Sequence, residues 1–545
     1  MNLSTIDFII FAIYIFVIVA LGLFFSRTKK GHTKDSKDYF LASKALPWWV
    51  IGSSLIAANI SAEQFIGMSG SGFAIGLAIA SYEWMAALTL VLVGKFFLPI
   101  FIEKKLYTIP EFIEQRFSVT LKSILAIFWI ALFIFVNLTS VLFLGGKALD
   151  TIIGSGDGSL IIYAIIGLAT IAAAYSLYGG LSAVAWTDVV QVSLLVMGGL
   201  ITSMIALNNV TPEGGIIHGF EHILRHAGDK FHMILPRSNP EYFNLPGIAV
   251  LIGGMWVANL YYWGFNQYII QRALGAKSLK EAQHGIIFAG FLKLLIPLLV
   301  VIPGIIVYVL FTQPEGTTII NGIQEAFLKA DGSINYDKAY PWLIAKFVPI
   351  GLKGLVLAAL TAAIVSSLAS MLNSTSTIFT MDIFKEHIKK DATEKELVFV
   401  GRLTAGIALI IAVIIAPILG NIPQMFQYIQ EYTGLVSPGI LAIFLMGLFW
   451  KKTTNKAAII GALSSIVIAL LLKNPAVDLP WMDQMFYTLV LTMAIILAVS
   501  LVTSENDDDP KGISLTARIF KTDSVFNIGT YGILIILAVL YAIFW

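Results

Sequence analysis

The chain predicts an all-α polytopic membrane protein of about fourteen transmembrane helices. Three observations predict it. Of the 545 residues, 58% are hydrophobic and only 12% charged, whereas soluble domains carry roughly 25% charged residues. Apolar runs of about 20 residues, the length that crosses a bilayer, recur from end to end. Basic residues gather in alternate connections, the pattern of the positive-inside rule.

The spans are placed at about 6–25, 47–70, 80–102, 122–147, 159–177, 186–207, 247–267, 284–311, 350–380, 399–419, 426–449, 455–472, 482–503 and 526–544. "MNLSTID" has no basic residue ahead of the apolar run Phe8 to Phe25. It therefore reads as a first helix and not as a cleavable signal. The connections "SRTKKGHTKDSKDYFLASK", "EKKLYTIPEFIEQRF", "QRALGAKSLKEAQHG", "FKEHIKKDATEKE" and "WKKTTNK" are all basic and all follow odd-numbered spans. They are expected in the cytoplasm, with both termini outside. Long outer connections are expected at about 208–246 and 312–349.

Composition also excludes several function classes. The balance of 35 basic and 33 acidic residues gives no reason to expect nucleic acid. With no cysteine, disulfides, thiolate metal sites and cysteine nucleophiles are excluded. No phosphate loop, nucleophile elbow or zinc-protease motif occurs, and no nucleophile–base pair suggests an intramembrane enzyme. A sensor would need a kinase or similar module, and only about twenty residues separate the last two spans. The acidic run "ENDDDPKG" reads as a solvated cytoplasmic loop, with a calcium site as the alternative. His218, His222 and His226 recur every fourth residue in an outer connection. That spacing suits a wet amphipathic helix better than a zinc site.

Polar residues inside the spans carry the functional signal. In "SSLIAANISAEQFIGMSGSG", Asn59, Ser61, Glu63 and Gln64 sit near the middle of span two. A helix broken there frees the carbonyls of Ala57 to Ile60 for a cation and starts a new half-helix near Ser61. Ser61 and Gln64 also have the spacing of a capping box, and a cap is compatible with a cavity. Span seven contains "WVANLYYWGFNQY", in which Asn259, Tyr262 and Trp263 share a helix face. These side chains are either interhelical glue or the wall of a site for a polar ring-shaped ligand. Tyr262 is expected one turn past the break in that span.

Glu83 lies near the outer end of span three and Lys293 inside span eight. Intramembrane charges face a partner or a cavity, the plainer readings being snorkelling or a structural pair. In span nine, Ala363, Ser366, Ser367 and Ser370 make a small, hydroxyl-rich face. It serves either close helix packing or an all-oxygen site for a hard cation. At the entry to span eleven, at least one of Gln427 and Gln430 should face inward. Interrupted spans two and seven lie five apart, so they begin on opposite sides. That is the arithmetic of an inverted repeat with its site near the midplane.

The stretches "AANISAEQFIGMSGSG", "YGGLSAVAWTDVVQ", "GGMWVANLYYWGFNQYIIQR", "AAIVSSLASMLNS" and "QYIQEYTGLVSPGI" give the chain a resemblance to the sodium/solute symporter family, sodium–glucose branch, over nearly its full length. The resemblance implies a LeuT-type fold with a 5+5 inverted repeat. A first helix and basic loop (1–46) would precede repeat one (47–207). An outer loop (208–246), repeat two (247–449) and peripheral helices (450–545) would follow. It implies sodium-coupled uptake of a hexose such as galactose or glucose by alternating access, in a bacterial cytoplasmic membrane. Sodium, the sugar and the lipid bilayer are then the partners. Symport of sialic acid, proline or a vitamin is the alternative.

By the same resemblance, sodium would be held by the carbonyls of Ala57, Ile60 and Ala363 and the hydroxyls of Ser366 and Ser367. Gln64, Glu83, Asn259, Lys293 and Gln430 would contact the sugar. Tyr262 would be the inner gate, stacked on the sugar and held by Asn259. Met68, Tyr82 and Phe426 would close the outer side, and Asp188 would lie on the sodium exit path. Ala86 stands where a small hydroxyl is expected, and Ala457 where glycine is common.

Overall fold

At membrane depth a chain segment must satisfy its own backbone hydrogen bonds, which a helix does locally. The computed structural model describes residues 3–25, 35–154, 156–329, 332–422, 424–474, 476–504 and 508–545. Helices dominate it. Among the described residues, strand-like pairing is limited to isolated bridges between Leu46 and Ala276 and between Leu328 and Ile334.

Among the described residues, ten helices are long and apolar enough to cross a membrane, or eleven when Met425–Thr433 and Ser437–Phe449, bent by 44°, count as one span. The fourteen expected spans are thus not fourteen continuous helices, and the shortfall has a physical reason. Span two is divided into Trp48–Asn59, Glu63–Met68 and Ser69–Ala74. Span seven is divided into Ala249–Ile252, Gly254–Leu260, Tyr261–Phe265 and Gln267–Leu274. Span five is the shorter apolar helix Ile161–Ala174.

Burial separates inner from outer helices. The apolar window of span nine is 94% buried and that of span eight 78%, whereas the first and last helices are 17% buried. Spans eight and nine therefore form the centre, and the terminal helices leave most of their apolar surface exposed at the periphery. Small residues permit the close approach. A Cβ on Gly304 of span eight would meet the carbonyl oxygen of Ser69 at 2.1 Å. Span six begins at Gly180, earlier than the expected 186, because the run Ile161–Asn209 bends there with φ 67° and ψ −160°. Span nine continues past 380 as the wider π-helical turn Phe379–Ile388.

The connections are tied down by buried charge. Arg116, at the end of helix Ile109–Arg116, donates to the carbonyls of Gly447, Trp450, Lys451 and Thr453 at 2.9–3.3 Å and pairs with Asp509 at 3.3 Å. It thereby satisfies carbonyls that the helix end Ser437–Phe449 leaves open. Asp509 is thus a structural partner and not simply a solvated residue of the acidic run, and Asp508 lies 3.7 Å from Lys451. Residues 505–507 of that run lie outside the described residues. In the outer connection the expected amphipathic helix forms as Ile216–His226. His222 faces inward, 2.9 Å from Thr317 Oγ1, with its ring 4.4 Å from that of His226. Burial holds the His222 imidazole below the ordinary histidine range.

The bend at Gly180 permits one test. Its backbone conformation is essentially restricted to glycine, and an added Cβ would lie 2.4 Å from the Tyr39 carbonyl oxygen. Gly180→Ala should cost at least about 1–3 kcal/mol and lower the melting temperature of the purified protein. Gly406→Ala, where nothing lies within 4 Å, should not. Equal melting temperatures for the two variants would contradict this account of the bend.

Candidate functional site

The break in span two is made by side chains that take the backbone's partners. Ile60 is extended, with φ −80° and ψ 100°. The Ser61 amide donates to Gln64 Oε1 at 3.0 Å, and the Glu63 amide donates to Ser61 Oγ at 3.0 Å. In a continuous helix those two amides would have served the carbonyls of Ala57 and Asn59. One half of the expected capping box therefore forms, Gln64 reaching back to the Ser61 amide, while Ser61 Oγ takes the amide of Glu63 in place of that of Gln64. The wider π-helical turn Glu63–Met68 follows at once.

Span nine meets that break. Ser367 Oγ donates to the carbonyl of Ala58 at 3.0 Å and lies 3.5 Å from that of Ala57. Ser366 Oγ donates to Asp188 Oδ1 at 2.5 Å. Each hydroxyl has one hydrogen and each has given it away, so only lone pairs remain for another partner. Asp188 also accepts from Ser54 Oγ at 2.5 Å. Arg272 backs the group: its Nε donates to Ser54 Oγ at 2.9 Å, its Nη2 lies 3.8 Å from Asp188, and it bonds the Tyr268 carbonyl and Ser370. All these side chains are buried. Ser370, read from sequence as part of the hydroxyl face, thus serves Arg272.

Beside the break lies a cavity of about 50 Å³. All five residues expected to contact the sugar, Gln64, Glu83, Asn259, Lys293 and Gln430, line it. Ligand sites are usually about 300–1,000 Å³, so this cavity is contracted and its walls bond one another. Lys293 makes an ion pair with Glu83, donates to Asn59 Oδ1, and lies 5.0 Å from the centre of the Trp263 ring. Gln430 Nε2 donates to Glu63 at 2.8 Å. Of the two amides at the entry to span eleven, it is Gln430 that lines the cavity. Gln427 is buried with neither amide atom hydrogen-bonded.

Three of the four expected gate residues, Tyr82, Phe426 and Tyr262, also line the cavity. The Tyr82 and Phe426 rings meet edge to face at 5.0 Å. Met68 is fully buried and does not line it.

The partners of Tyr262 differ from the expectation. Its hydroxyl accepts from Asn59 Nδ2 at 2.9 Å and from the Tyr268 hydroxyl at 2.6 Å. Asn259 instead donates to the Met255 carbonyl, one turn back on its own helix, at 3.2 Å. The interruption of span seven also lies elsewhere. Gly253 departs from helical geometry, and the extended residue Asn266 comes after Tyr262, which itself sits in the π-helical turn Tyr261–Phe265.

Asn59 and Glu63, singled out in the polar run but given no contact with the solute, also line the cavity. Their signal was present in the polar run itself, but helical spacing does not tell which of four neighbouring polar side chains points inward once the helix is broken.

The sodium:solute symporter family profile matches residues 39–465. A sodium/glucose cotransporter of Vibrio parahaemolyticus is 63% identical over 544 residues, covering 100% of this chain and 99% of its own. The sodium/myo-inositol cotransporter 2 of Homo sapiens is 31% identical, over 91% of this chain and 76% of its own. The sodium/glucose cotransporter 1 of Ovis aries is 33% identical, over 85% and 70% respectively. Among solved structures, a sodium-coupled sialic acid symporter in a substrate-bound outward-open state superposes with a TM-score of 0.78. It is 23% identical and covers 93% of this chain and 99% of its own, which shows a shared LeuT-type fold. The chain belongs to the sodium:solute symporter family, and is a multi-pass membrane transporter rather than an enzyme.

Proposed function

We propose that this protein takes up a neutral hexose, glucose or galactose, together with sodium across a bacterial cytoplasmic membrane. The carrying observation is that Lys293 is already paired with Glu83 and Asn59. Among the described lining residues it is the sole cation, facing two carboxylates, Glu63 and Glu83. An acidic substrate such as sialic acid needs a cation to spare. Neutral hydroxyls need donors and acceptors side by side, which the Lys293–Glu83 and Gln430–Glu63 pairs supply. Glucose and myo-inositol, which the similar cotransporters are named for, are both neutral ring-shaped polyols.

In this reading Gln64, Glu83, Asn259, Lys293 and Gln430 bind the sugar. The carbonyls of Ala57, Ile60 and Ala363 and the hydroxyls of Ser366 and Ser367 bind sodium. Asp188 supplies negative charge beside the path by which sodium leaves. Spans two to six and seven to eleven would move as the two repeats, within 47–207 and 247–449, with the termini outside and lipid around the peripheral helices. Sodium coordinated by spans two and nine at once favours the form in which they touch, and coupling follows from that difference in affinity. The energy suffices. One sodium moving down about 100 mV supplies about 2.3 kcal/mol, and a tenfold gradient adds about 1.4 kcal/mol. Together they support roughly a 500-fold sugar gradient at one-to-one coupling.

Three experiments test the reading, all in proteoliposomes. Ser367→Ala removes one cation ligand and the bond to Ala58. Uptake should fall steeply in a folded protein, and unchanged sodium dependence would refute the assigned site. Lys293→Ala should weaken sugar binding roughly 100-fold or more while sodium binding stays measurable. It also lowers the melting temperature, because Glu83 is left buried and unpaired. Wild-type sugar affinity would place Lys293 outside the site.

The third concerns the gate. Tyr262→Phe keeps the ring but strands Asn59 Nδ2 and the Tyr268 hydroxyl, so binding should persist with slowed transport. Tyr262→Ala opens the plug, and accumulation should collapse while counterflow continues. A destabilised Tyr262→Ala protein with normal coupling would reduce Tyr262 to packing.

A further inference from the structure

A second cleft, sharing no lining residue with the first, lies on the face opposite the basic connections. The segment between spans eight and nine folds there over the end of span four. Lys338, Lys346, Lys353 and Trp342 line the cleft together with Thr151 and Gly156. Its volume is about 360 Å³, within the range of about 300–1,000 Å³ usual for small-ligand sites.

The three ammonium groups face only neutral partners. Lys353, at the start of span nine, is buried and donates to the Ala345 carbonyl at 3.0 Å. Lys338 donates weakly to the Ala326 carbonyl at 3.5 Å. Lys346 is exposed at the rim. Among the described residues, no carboxylate lies within 4 Å of any of them. Acids around the cleft are engaged elsewhere, Asp150 among them, which accepts from the amides of Gly158 and Leu160 at 2.8 and 3.0 Å. Asp337 turns inward, 3.7 Å from Lys147 Nζ and 3.3 Å from the Met425 amide. Asp7 accepts from the amides of Gly351 and Gly354 at 2.7 and 2.8 Å.

Converging cations without a counter-ion, one of them buried, are costly unless an anion joins them. They also stand on the face where the positive-inside rule disfavours basic residues. Trp342 adds an amphipathic wall, its indole held edge-on by Phe327 and Phe347 with centroids 5.5 and 5.9 Å away. Lysine serves as a point charge for phosphate, and an indole suits the boundary between a headgroup and an acyl chain.

We propose that this cleft binds a phosphate group, with Lys338, Lys346 and Lys353 around its oxygens and Trp342 against the apolar part of its carrier. The phosphate belongs either to an anionic phospholipid headgroup or to a free phosphate in the medium. Bound there, it bridges the segment between spans eight and nine to span nine itself, independently of which solute is transported.

The test uses the full-length protein. In nanodiscs of phosphatidylcholine with and without phosphatidylglycerol, native mass spectrometry counts retained lipid. In detergent, inorganic phosphate is titrated against melting temperature, with sodium chloride as the control. The double variant Lys338→Gln with Lys346→Gln removes two charges and leaves buried Lys353 in place. Near a surface each lysine is worth about a fivefold change in affinity, so the variant should bind roughly 30-fold more weakly.

Selective retention of phosphatidylglycerol, lost in the variant, identifies the lipid as the source. Stabilisation by phosphate alone, lost in the variant, identifies the free anion. Lys346→Glu, a change at an exposed side chain, must weaken the same signal and guards against misfolding of the double variant. No preference for phosphatidylglycerol and no phosphate stabilisation, or equal signals in wild type and variants, would overturn the proposal.

Discussion

A backbone group without a partner at membrane depth is costly, and span two creates several such groups at once. Ser61 and Gln64 settle the cost for the amides. The carbonyl of Ala57 then loses its usual donor, and Ser367 on span nine donates to the neighbouring carbonyl of Ala58 at 3.0 Å and lies 3.5 Å from that of Ala57. The break thus requires its neighbour. A continuous helix at this position would need neither the serine face nor the cavity beside it.

From that break a single side chain reaches both sides of the site. Asn59 accepts from Lys293 through its oxygen and donates to Tyr262 through its nitrogen. Lys293 is in turn held by Glu83 on span three. A sugar hydroxyl bound as proposed, competing for Lys293 or Glu83, would therefore alter the bond that holds Tyr262. Span nine touches the carbonyl side of the same turn. In the proposed reading, solute, gate and cation are thus linked through about one turn of span two, and no long chain of residues is required between them.

The contracted cavity fits this arrangement. At about 50 Å³ its polar groups satisfy one another, which avoids stranded charge in a low dielectric. Opening it requires a ligand able to replace those bonds, and a ring carrying hydroxyls on several edges does so. An apolar ligand of equal size does not. The buried Asp188–Arg272 group on the other side of span nine holds Ser366 in the same way, so both flanks of the break are held by charge and not by packing alone.

Much of this was legible in the chain before any tertiary structure. Long apolar runs demand helices in lipid, which made the all-helical class legible, though not the number of continuous helices. Polar and charged residues within spans two, three, seven and eight are too costly to be incidental, which singled out Gln64, Glu83, Asn259 and Lys293. The capping spacing of Ser61 and Gln64 named the break itself. Tertiary structure decided what periodicity cannot. Once span two leaves helical geometry at Ile60, fixed spacing no longer assigns a face, so the polar run did not tell that Asn59 and Glu63 line the cavity beside Gln64. The partner of Tyr262 came from span two because Asn259 found a carbonyl on its own helix. The lysines of the outer cleft are scattered from 338 to 353, and only the fold of that segment brings their charges to one place.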